Sequence, residues 1–410
     1  MEGTAHPDFA PVADEFERQL GRTAGGAAVT VFHRGEPVVD LWGGVRDDEG
    51  QTWDRDTVAM CFSTTKGIAS FALHLYADRG LIDYDAPVAT YWPEFAQNGK
   101  AGVTVRHVLS HSAGLHRLRS IIEGAHHMLD WDHMVDALAR EAPAYEPGTK
   151  AGYHAMTYGW LVGEIVRRVS GLALADVIAA EVAQPLDLDG LYLGVPASER
   201  HRVAPLTPIG SPRRFLPRPV RRVEKRIGTA GGKVLSFIHS PVNPRRMINA
   251  LVPRGMEDVL WGPDVMDAAI PAANGFFTAR SLAAVYAVLA GKGRLGDTRL
   301  LSAATVARVG EIQNDTPDLV LVLPMRWRLG YHRVMTSRGQ VAEAFGHFGF
   351  GGSGGWADPS RDLAVAMVCN RGSGTPVGDL RLLRLGHEAK AAADRRDRGG
   401  AAADPSELAS

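Results

Sequence analysis

The chain is poor in cysteine and has almost no charge imbalance. Its two cysteines, Cys61 and Cys369, both fall in segments that read as core strands, so free buried thiols are expected rather than a disulfide. The formal net charge of −1 argues against a nucleic-acid partner. No apolar run approaches the length of a transmembrane segment, and residues 1–8 lack the basic and apolar regions of a secretory signal. These absences predict a cytoplasmic protein.

Lysine is also scarce, and one of the seven lysines stands in a chemically distinctive position. Ser63 and Lys66 form a Ser-x-x-Lys sequence. Residues three apart on a helix share one face, so the Lys66 amine can reach the Ser63 hydroxyl and accept its proton. None of the other lysines follows a serine at this spacing. A chance Ser-x-x-Lys is expected in roughly one such chain in three. The motif alone is therefore weak evidence, and the residues around it decide whether Ser63 is a nucleophile.

Those surroundings predict a rigid setting for a nucleophile. Residues 58–62 read as a strand, and residues 64–79 carry apolar side chains at helical spacing before a stop at Gly80. The predicted helix is apolar almost all round and should therefore lie in the core. Its N-terminus, where the helix dipole favours a developing anion, would then be held in place. The sequence predicts an activated serine, Ser63, at the start of a buried helix.

Two later segments complete a pattern known from one enzyme superfamily. A Tyr-His-Ala tripeptide begins at Tyr153 and precedes a predicted helix over residues 157–169. A His-Phe-Gly tripeptide begins at His347, ahead of a predicted strand over residues 363–369. Together with the Ser-x-x-Lys, these segments resemble, in order, the three motifs of the serine β-lactamase and penicillin-binding-protein-like hydrolases. The resemblance covers about residues 12–388 and is nearest to the family VIII carboxylesterases and class C-like enzymes.

The resemblance implies a role for each matching residue. Ser63 would be the acylated nucleophile and Lys66 its proton partner. Tyr153 would be the general base, with a nearby ammonium lowering the pKa of its phenol. Which of the coupled Lys66 and Tyr153 holds the proton stays open. The backbone amide of Ser63 would form the oxyanion hole with that of the residue after the third motif. Three residues would line the substrate site: His347, Gly349 and Phe350. Acyl-enzyme chemistry of this kind needs no metal and no organic cofactor.

Two departures from the family pattern point to the substrate. β-Lactamases usually carry Asn where this chain has Ala155, and Lys where it has His347. The anchors for the amide and the carboxylate of a β-lactam are therefore missing, and a small-molecule carboxylic ester becomes the expected substrate. The alternatives are a β-lactamase, a D-amino-acid peptidase or an acyltransferase of the same fold, and a catalytically silent penicillin-binding-like protein. The sequence carries no signature of oligomeric state.

A second serine motif competes with the first. Residues 351–355 read Gly-Gly-Ser-Gly-Gly, which fits the Gly-x-Ser-x-Gly nucleophile elbow of the α/β hydrolases. That elbow needs a helix after the serine, whereas residues 356–359 lead into another predicted strand. Ser353 is therefore interpreted as part of a glycine-rich strand edge that allows close approach of the backbone.

Histidines crowded into one third of the chain raise the alternative of a metal centre. His107 and His111 would stand four apart on a predicted helix, but no His-Glu-x-x-His motif is present. Hydrogen bonding at helix ends and in the core is the preferred interpretation, with no metal. The histidines concerned are His107, His111, His116, His126, His127, His133 and His154.

The order of segments predicts an α/β (α+β) protein with two lobes. A hairpin over residues 27–42 would pair with C-terminal strands in an antiparallel sheet flanked by helices. This β-lactamase-like lobe is expected to comprise residues 1–82 and 264–388. An all-helical lobe over residues 83–263 would lie between its two halves, with the catalytic cleft between the lobes.

Two segments fit neither lobe. Residues 196–263 contain a basic, proline-rich insertion that we expect to be a solvated excursion. The alternatives are that the insertion forms a mobile flap over the cleft, or that residues 213–226 make weak contact with an anionic membrane surface. Residues 389–410, rich in Ala, Arg and Asp, are expected to form a disordered tail.

Overall fold

A computed structural model describes residues 1–22, 25–206, 250, 253–370 and 380–401. The strands are β1 (Glu2–Ala5), β2 (Gly26–His33), β3 (Glu36–Gly44), β4 (Val58–Met60), β5 (Leu191–Leu193), β6 (Val203–Ala204), β7 (Gly275–Phe277), β8 (Arg294–Leu295), β9 (Thr298–Arg299), β10 (His332–Thr336), β11 (Gly339–Phe348), β12 (Gly354–Asp358) and β13 (Leu363–Cys369). The α-helices are α1 (Ala10–Leu20), α2 (Thr65–Asp78), α3 (Val105–Leu109), α4 (Leu118–Ile121), α5 (Trp131–Arg140), α6 (Thr157–Ser170), α7 (Leu174–Val177), α8 (Met256–Leu260), α9 (Ala279–Ala290), α10 (Ala303–Gly310) and α11 (Leu380–Ala401).

The main sheet has seven antiparallel strands in the order β1-β3-β2-β13-β12-β11-β10. Side chains alternate between the two faces of a strand, and in β2 both sets are buried. Val29 and Val31 pack with residues of α1 and α11, whereas Ala28 and Phe32 join the larger core around α2 and α9. The sheet therefore lies between two helical layers. The predicted hairpin of β2 and β3 is confirmed, as is the strand over residues 363–369 that pairs with β2.

The last helix corrects one expectation. Residues from 389 onward were expected to be disordered, but α11 continues to Ala401. Ala389, Ala392 and Ala393 are fully buried in the same core as Leu385. Their helical spacing forms a narrow apolar stripe, and the small alanine side chain lets the helix lie close to the sheet. The composition of this segment resembles that of a disordered tail because alanine contributes little hydrophobicity. Residues 402–410 lie outside the described part of the chain.

The region between the two halves of the main sheet is less uniform than expected. Residues 105–186 contain helices α3 to α7, but β5 and β6 then join a second sheet of order β5-β7-β4-β6. Within it, β6 runs parallel to β4. The expectation of an all-helical lobe over residues 83–263 is wrong at these two strands, which are too short to carry an alternating pattern. Most of the basic insertion, including residues 213–226, lies outside the described residues.

Two helices form the centre of the larger core. Every residue of α2 from Thr65 to Tyr76 is buried, and α2 packs against α6. Helix α6 confirms the prediction for residues 157–169 and ends at Gly171, which has φ +74°. Within the residues described, no single helix is long and apolar enough to cross a membrane. In the described part of the chain, one pair of helices, Thr157–Ser170 and Leu174–Leu186, reaches that length and composition together, but it is bent by 74°.

Candidate active site

Ser63 lies in a single turn of 3-10 helix, Phe62–Thr64, between β4 and α2. The predicted helix start is confirmed to within a residue, because the α-helix begins at Thr65. Phe62 and Thr64 are buried, whereas Ser63 keeps partial exposure. The serine is therefore the accessible residue of a turn whose neighbours are fixed in the core.

Hydrogen bonds to β7 hold this turn. Cys61 N–H donates to the Gly275 carbonyl at 2.8 Å, and Gly275 N–H donates to Thr65 Oγ1 at 2.9 Å. The Thr65 hydroxyl donates in turn to the Phe62 carbonyl at 2.6 Å. Phe62 has φ +46°, a left-handed conformation that costs a residue with a Cβ about 1–2 kcal/mol. The residue before the serine is thus held in a strained conformation by its surroundings.

Lys66 is fully buried in the first turn of α2. Its Nζ lies 2.9 Å from Ser63 Oγ and 2.9 Å from the carbonyl oxygen of Ala272. Burial lowers the pKa of the Lys66 amine well below its usual value, because desolvation disfavours the ammonium. A neutral amine can donate to the Ala272 carbonyl and accept a proton from the Ser63 hydroxyl at the same time.

Tyr153 reaches the same serine oxygen, since its hydroxyl donates to Ser63 Oγ at 2.8 Å. Burial raises the pKa of the Tyr153 phenol, against a smaller lowering by the hydrogen bond to Ser63. The lowering of this pKa by a Lys66 ammonium stays a prediction, and burial of the phenol opposes it. Lys66 Nζ does lie 5.1 Å from the tyrosine ring centroid, but burial favours the uncharged form of both groups. A neutral amine and a neutral phenol are therefore the favoured forms of the two partners of Ser63.

His347 stands at the end of β11 and is 1% exposed. Its ring centroid lies 6.3 Å from that of Tyr153. Nδ1 lies 3.2 Å from the Phe348 carbonyl, and a donor there leaves Nε2 with a free lone pair. Nε2 has no hydrogen-bond partner among the described residues. Burial, then His332 and Lys66, lower the pKa of His347 well below its usual value. Burial thus favours a neutral imidazole, whose Nε2 would act as an acceptor.

Gly349 brings the third motif against the nucleophile turn. A Cβ at this position would lie 2.2 Å from the Cys61 carbonyl oxygen and 2.9 Å from Thr64 Oγ1, so the close approach requires glycine. Phe350 follows directly in the chain. The two amides expected to form the oxyanion hole, those of Ser63 and Phe350, thus belong to two segments in direct contact.

Aromatic rings stand beside this contact. The Phe350 ring meets the Phe62 ring edge to face, with centroids 5.6 Å apart. Trp261, which is 39% exposed, also packs against Phe62 at 6.4 Å. These three side chains form an uncharged aromatic rim next to the serine.

Three residues that the sequence analysis did not single out complete the site. Ala272 supplies the carbonyl that accepts from the buried lysine, and a backbone role of this kind leaves no sequence signal. Asp318 is buried and accepts from Tyr153 N–H at 3.2 Å and from Trp327 Nε1–H at 3.0 Å. The Trp327 ring lies parallel to that of Tyr153, with centroids 5.5 Å apart and planes 8° apart. A signal for Asp318 existed, because a lone carboxylate beside the apolar residues 319–323 indicates a buried, hydrogen-bonded acid.

Ser353 is not part of this site. It is 2% exposed, its Oγ accepts from Cys369 N–H at 3.1 Å, and the residues after it form strand β12. The elbow geometry of an α/β hydrolase is absent here, and the interpretation as a strand edge is confirmed. Cys61 and Cys369 are both buried thiols and do not form a disulfide.

The clustered histidines divide into core and surface residues. His111 lies beyond the end of α3 with φ +58°, so the expected helical pair with His107 does not form. Its Nδ1 accepts from His154 N–H at 3.1 Å. His127 and His133 stack near the surface with centroids 4.0 Å apart. Among the residues that the structure describes, no group of three or more His, Cys, Asp or Glu is arranged to hold a metal ion.

The fold and the site together define a hydrolase with the esterase and β-lactamase architecture. The family model described as Beta-lactamase matches residues 13–389, and the chain belongs to this family. It is similar to the esterase/β-lactamase LipL of Mycobacterium tuberculosis, with 40% identity over 375 residues, which cover 90% of this chain and 82% of that protein.

Two solved structures extend the similarity. A family VIII carboxylesterase is 35% identical with a TM-score of 0.82 over 95% of this chain and 99% of its own. A penicillin-binding protein homologue from Caulobacter crescentus is 34% identical, also with a TM-score of 0.82 and the same coverage. The predicted family and the predicted fold class are confirmed.

Proposed function

We propose that this protein is a serine hydrolase that cleaves carboxylic esters through an acyl-enzyme on Ser63. The observation that carries the proposal is that Ser63 Oγ lies within hydrogen-bond distance of both Lys66 Nζ, at 2.9 Å, and Tyr153 Oη, at 2.8 Å. A serine hydroxyl needs a neighbouring base to become a nucleophile. Here one partner can accept its proton while the other donates to its oxygen.

In the first step the neutral Lys66 amine takes the proton from Ser63, and Oγ forms a bond to the ester carbonyl carbon. The negative charge that develops on the carbonyl oxygen is held by the Ser63 and Phe350 amides. This assignment differs from the role of general base first given to Tyr153. The direction of the two pKa shifts supports it, since burial leaves the amine able to accept and the phenol able to donate.

In the second step the bond to the alcohol breaks, and the Tyr153 hydroxyl donates a proton to the leaving oxygen. The phenolate recovers a proton from the Lys66 ammonium, so both groups return to their neutral forms. A water molecule then attacks the acyl-enzyme by the reverse route. The Tyr153 oxygen takes a proton from the water as its own proton passes to the Lys66 amine, and the water oxygen bonds to the acyl carbon. The bond from the acyl carbon to Ser63 Oγ then breaks as the Lys66 ammonium returns a proton to that oxygen. Every proton transfer involves Lys66 or Tyr153, the two groups that contact Ser63 Oγ.

The surroundings of Ser63 favour an uncharged substrate. His347 carries no fixed positive charge, and Ala155 offers no side-chain hydrogen bond. Phe62, Phe350 and Trp261 provide apolar contact for the acyl or alcohol part of an ester.

Covalent labelling tests the proposal. A fluorophosphonate should label Ser63, and Ser63→Ala should lose both labelling and hydrolysis of p-nitrophenyl butyrate. Ser353→Ala is the matched control, because it removes a buried hydroxyl near the same turn and should keep most of the activity. Identification of the labelled peptide by mass spectrometry decides between them. Labelling of a peptide that contains Ser353, or hydrolysis retained by Ser63→Ala, would contradict the proposal.

A second candidate function is β-lactam hydrolysis, which the name of the Mycobacterium tuberculosis relative favours. A β-lactam loses two anchors at Ala155 and His347, each worth about 1.5–3 kcal/mol when charged. We therefore expect kcat/KM for p-nitrophenyl acetate or butyrate to exceed that for penicillins and cephalosporins by at least about a hundredfold. Comparable values in parallel assays would move the assignment to β-lactamase.

A further inference from the structure

We propose that Asp318 is a positioning residue that fixes the Tyr153 hydroxyl against Ser63, acting through the Tyr153 backbone and through Trp327. The inference rests on the proposed function, because it assumes that the Tyr153 hydroxyl takes part in proton transfer. Asp318 touches none of the reacting atoms, so its effect has to pass through the residues it holds.

The carboxylate of Asp318 is 2% exposed and makes hydrogen bonds with both oxygens. Oδ1 accepts from the backbone N–H groups of Tyr153 at 3.2 Å, Val320 at 2.8 Å and Leu321 at 2.9 Å. Oδ2 accepts from Trp327 Nε1–H at 3.0 Å. One buried acid thus ties the Tyr153 backbone to a loop that follows it by more than 150 positions in the sequence.

Trp327 completes the hold on Tyr153. Its ring lies parallel to the phenol, and His111 meets the phenol from another side at 5.0 Å and 65°. The hydroxyl is at the far end of the ring from the backbone, so a small tilt of the ring moves it away from Ser63 Oγ. Because Oδ2 fixes the indole and Oδ1 fixes the backbone, Asp318 controls both ends of this movement.

The packing around Asp318 favours a local role over a global one. Tyr153 and Trp327 belong to a small apolar cluster that is separate from the two main cores. Its other buried members are Ala151, Ala155, Ala250, Val320 and Met325. A disturbance of Asp318 should therefore affect the position of Tyr153 more than the stability of the sheet or of α2.

The substitution Asp318→Asn tests this through one atom. The amide oxygen can still accept from the three backbone N–H groups, but the amide nitrogen then faces Trp327 Nε1–H, and two donors meet. We expect kcat for p-nitrophenyl butyrate to fall by at least about tenfold, as a misplaced catalytic group would give, with KM within about threefold. Trp327→Phe in the same chain removes the opposing donor and keeps a stacked ring. The double variant should recover at least about threefold in kcat over Asp318→Asn.

Glu164→Gln is the matched control. Glu164 is also buried and accepts from an indole, that of Trp131, at 3.0 Å, but it lies within α6 and contacts neither Ser63 nor Tyr153. Its amide variant should lower the melting temperature and leave kcat within about twofold of the parent, as a residue without contact to the site would. If the effect of Asp318→Asn were purely structural, it would likewise lower the melting temperature and leave kcat nearly unchanged.

A double-mutant cycle separates the inference from the function on which it rests. If Asp318 acts through the Tyr153 hydroxyl, Asp318→Asn should cost nothing further in kcat when introduced into Tyr153→Phe. The same loss in both backgrounds, or no recovery with Trp327→Phe, would overturn the inference while Ser63→Ala remained inactive. Full activity of Tyr153→Phe would refute the role of the hydroxyl and this inference with it, whereas fluorophosphonate labelling of Ser63 would still report the nucleophile.

Discussion

Residue 62 offers a test of whether the turn before the nucleophile stores strain. Phe62 has φ +46° and is 7% exposed, so its backbone is in a region that glycine adopts readily and that strains a residue with a Cβ. Replacing Phe62 by Ala removes the ring and keeps the strain. Replacing it by Gly removes both. The comparison between these two variants cancels the loss of the ring, which by itself costs about 3–5 kcal/mol.

The expected difference is small but its sign is unusual. Release of the left-handed conformation favours Gly by about 1–2 kcal/mol, and the greater freedom of Gly in the unfolded chain costs about 0.5–1 kcal/mol. The Gly variant should therefore be more stable than the Ala variant by about 0.5–1 kcal/mol. At Ala69, a buried position within α2, the order should be reversed, with Ala69→Gly destabilising by about 1 kcal/mol.

Urea unfolding of the three variants at a fixed protein concentration measures the difference as a shift in midpoint at constant slope. Turnover gives a second readout. The Gly variant should be slower than the Ala variant even though it is more stable, because a relaxed turn no longer fixes Ser63 between Lys66 and Tyr153. If Phe62→Ala equalled or exceeded Phe62→Gly in stability, the stored strain would not exist and the reasoning would be refuted.

Three further outcomes are expected from buried groups. Gly67→Ala would place a Cβ 2.4 Å from Tyr286 Oη, which accepts from His347 N–H at 3.1 Å. We expect overpacking to lower the free energy of unfolding by about 1–3 kcal/mol and to slow turnover. Thermal unfolding and ester hydrolysis measure the two effects. Burial tends to raise the pKa of Glu164, but hydrogen bonds from two arginines and an indole outweigh it and lower that pKa overall. The ionised Glu164 therefore stabilises the fold above its unfolded pKa, and this stabilisation is lost as the pH falls through its folded pKa. The difference in melting temperature between the parent and Glu164→Gln should accordingly narrow below about pH 4. Because the pKa of Lys66 is well below its usual value, the rate of ester hydrolysis should remain high at pH 8 and decline only at lower pH. If the rate instead fell with decreasing pH around a midpoint near pH 10, Lys66 would be charged in the free enzyme and this reasoning would be wrong.

The parts of the site that could be predicted are those with a short-range signal. The spacing of Ser63 and Lys66 places both on one helical face, and the apolar residues around them predict a buried helix. Tyr153 and His347 were found through the resemblance to a family, since neither has a local pattern that marks it. The central strands were also predictable, because runs of β-branched and aromatic residues bounded by glycine are typical of strands.

The parts that could not be predicted depend on contacts between distant segments. The Ala272 carbonyl becomes a partner of Lys66 only because the segment before β7 lies against the start of α2. The burial of Ala389 depends on the sheet beneath α11. The pKa directions of Lys66 and Tyr153 follow from desolvation, which is a property of the whole assembled core. The sequence motif identifies the catalytic candidates, whereas packing determines which protonation state of each is favoured.

That charge state supports the proposal of an uncharged ester as the substrate. Lys66, Tyr153 and His347 are all buried. Burial lowers the pKa of Lys66 and of His347 and raises that of Tyr153, so it favours the neutral form of each group. A neutral ester enters such a site without leaving any charge unpaired. A β-lactam would bring a carboxylate into the same surroundings, and a buried charge without a partner costs several kcal/mol. Binding a β-lactam would require a positive partner for its carboxylate. That partner would be either an arginine or lysine from outside the residues around Ser63, or a protonated His347. The Lys66 ammonium formed during acylation would oppose protonation of His347.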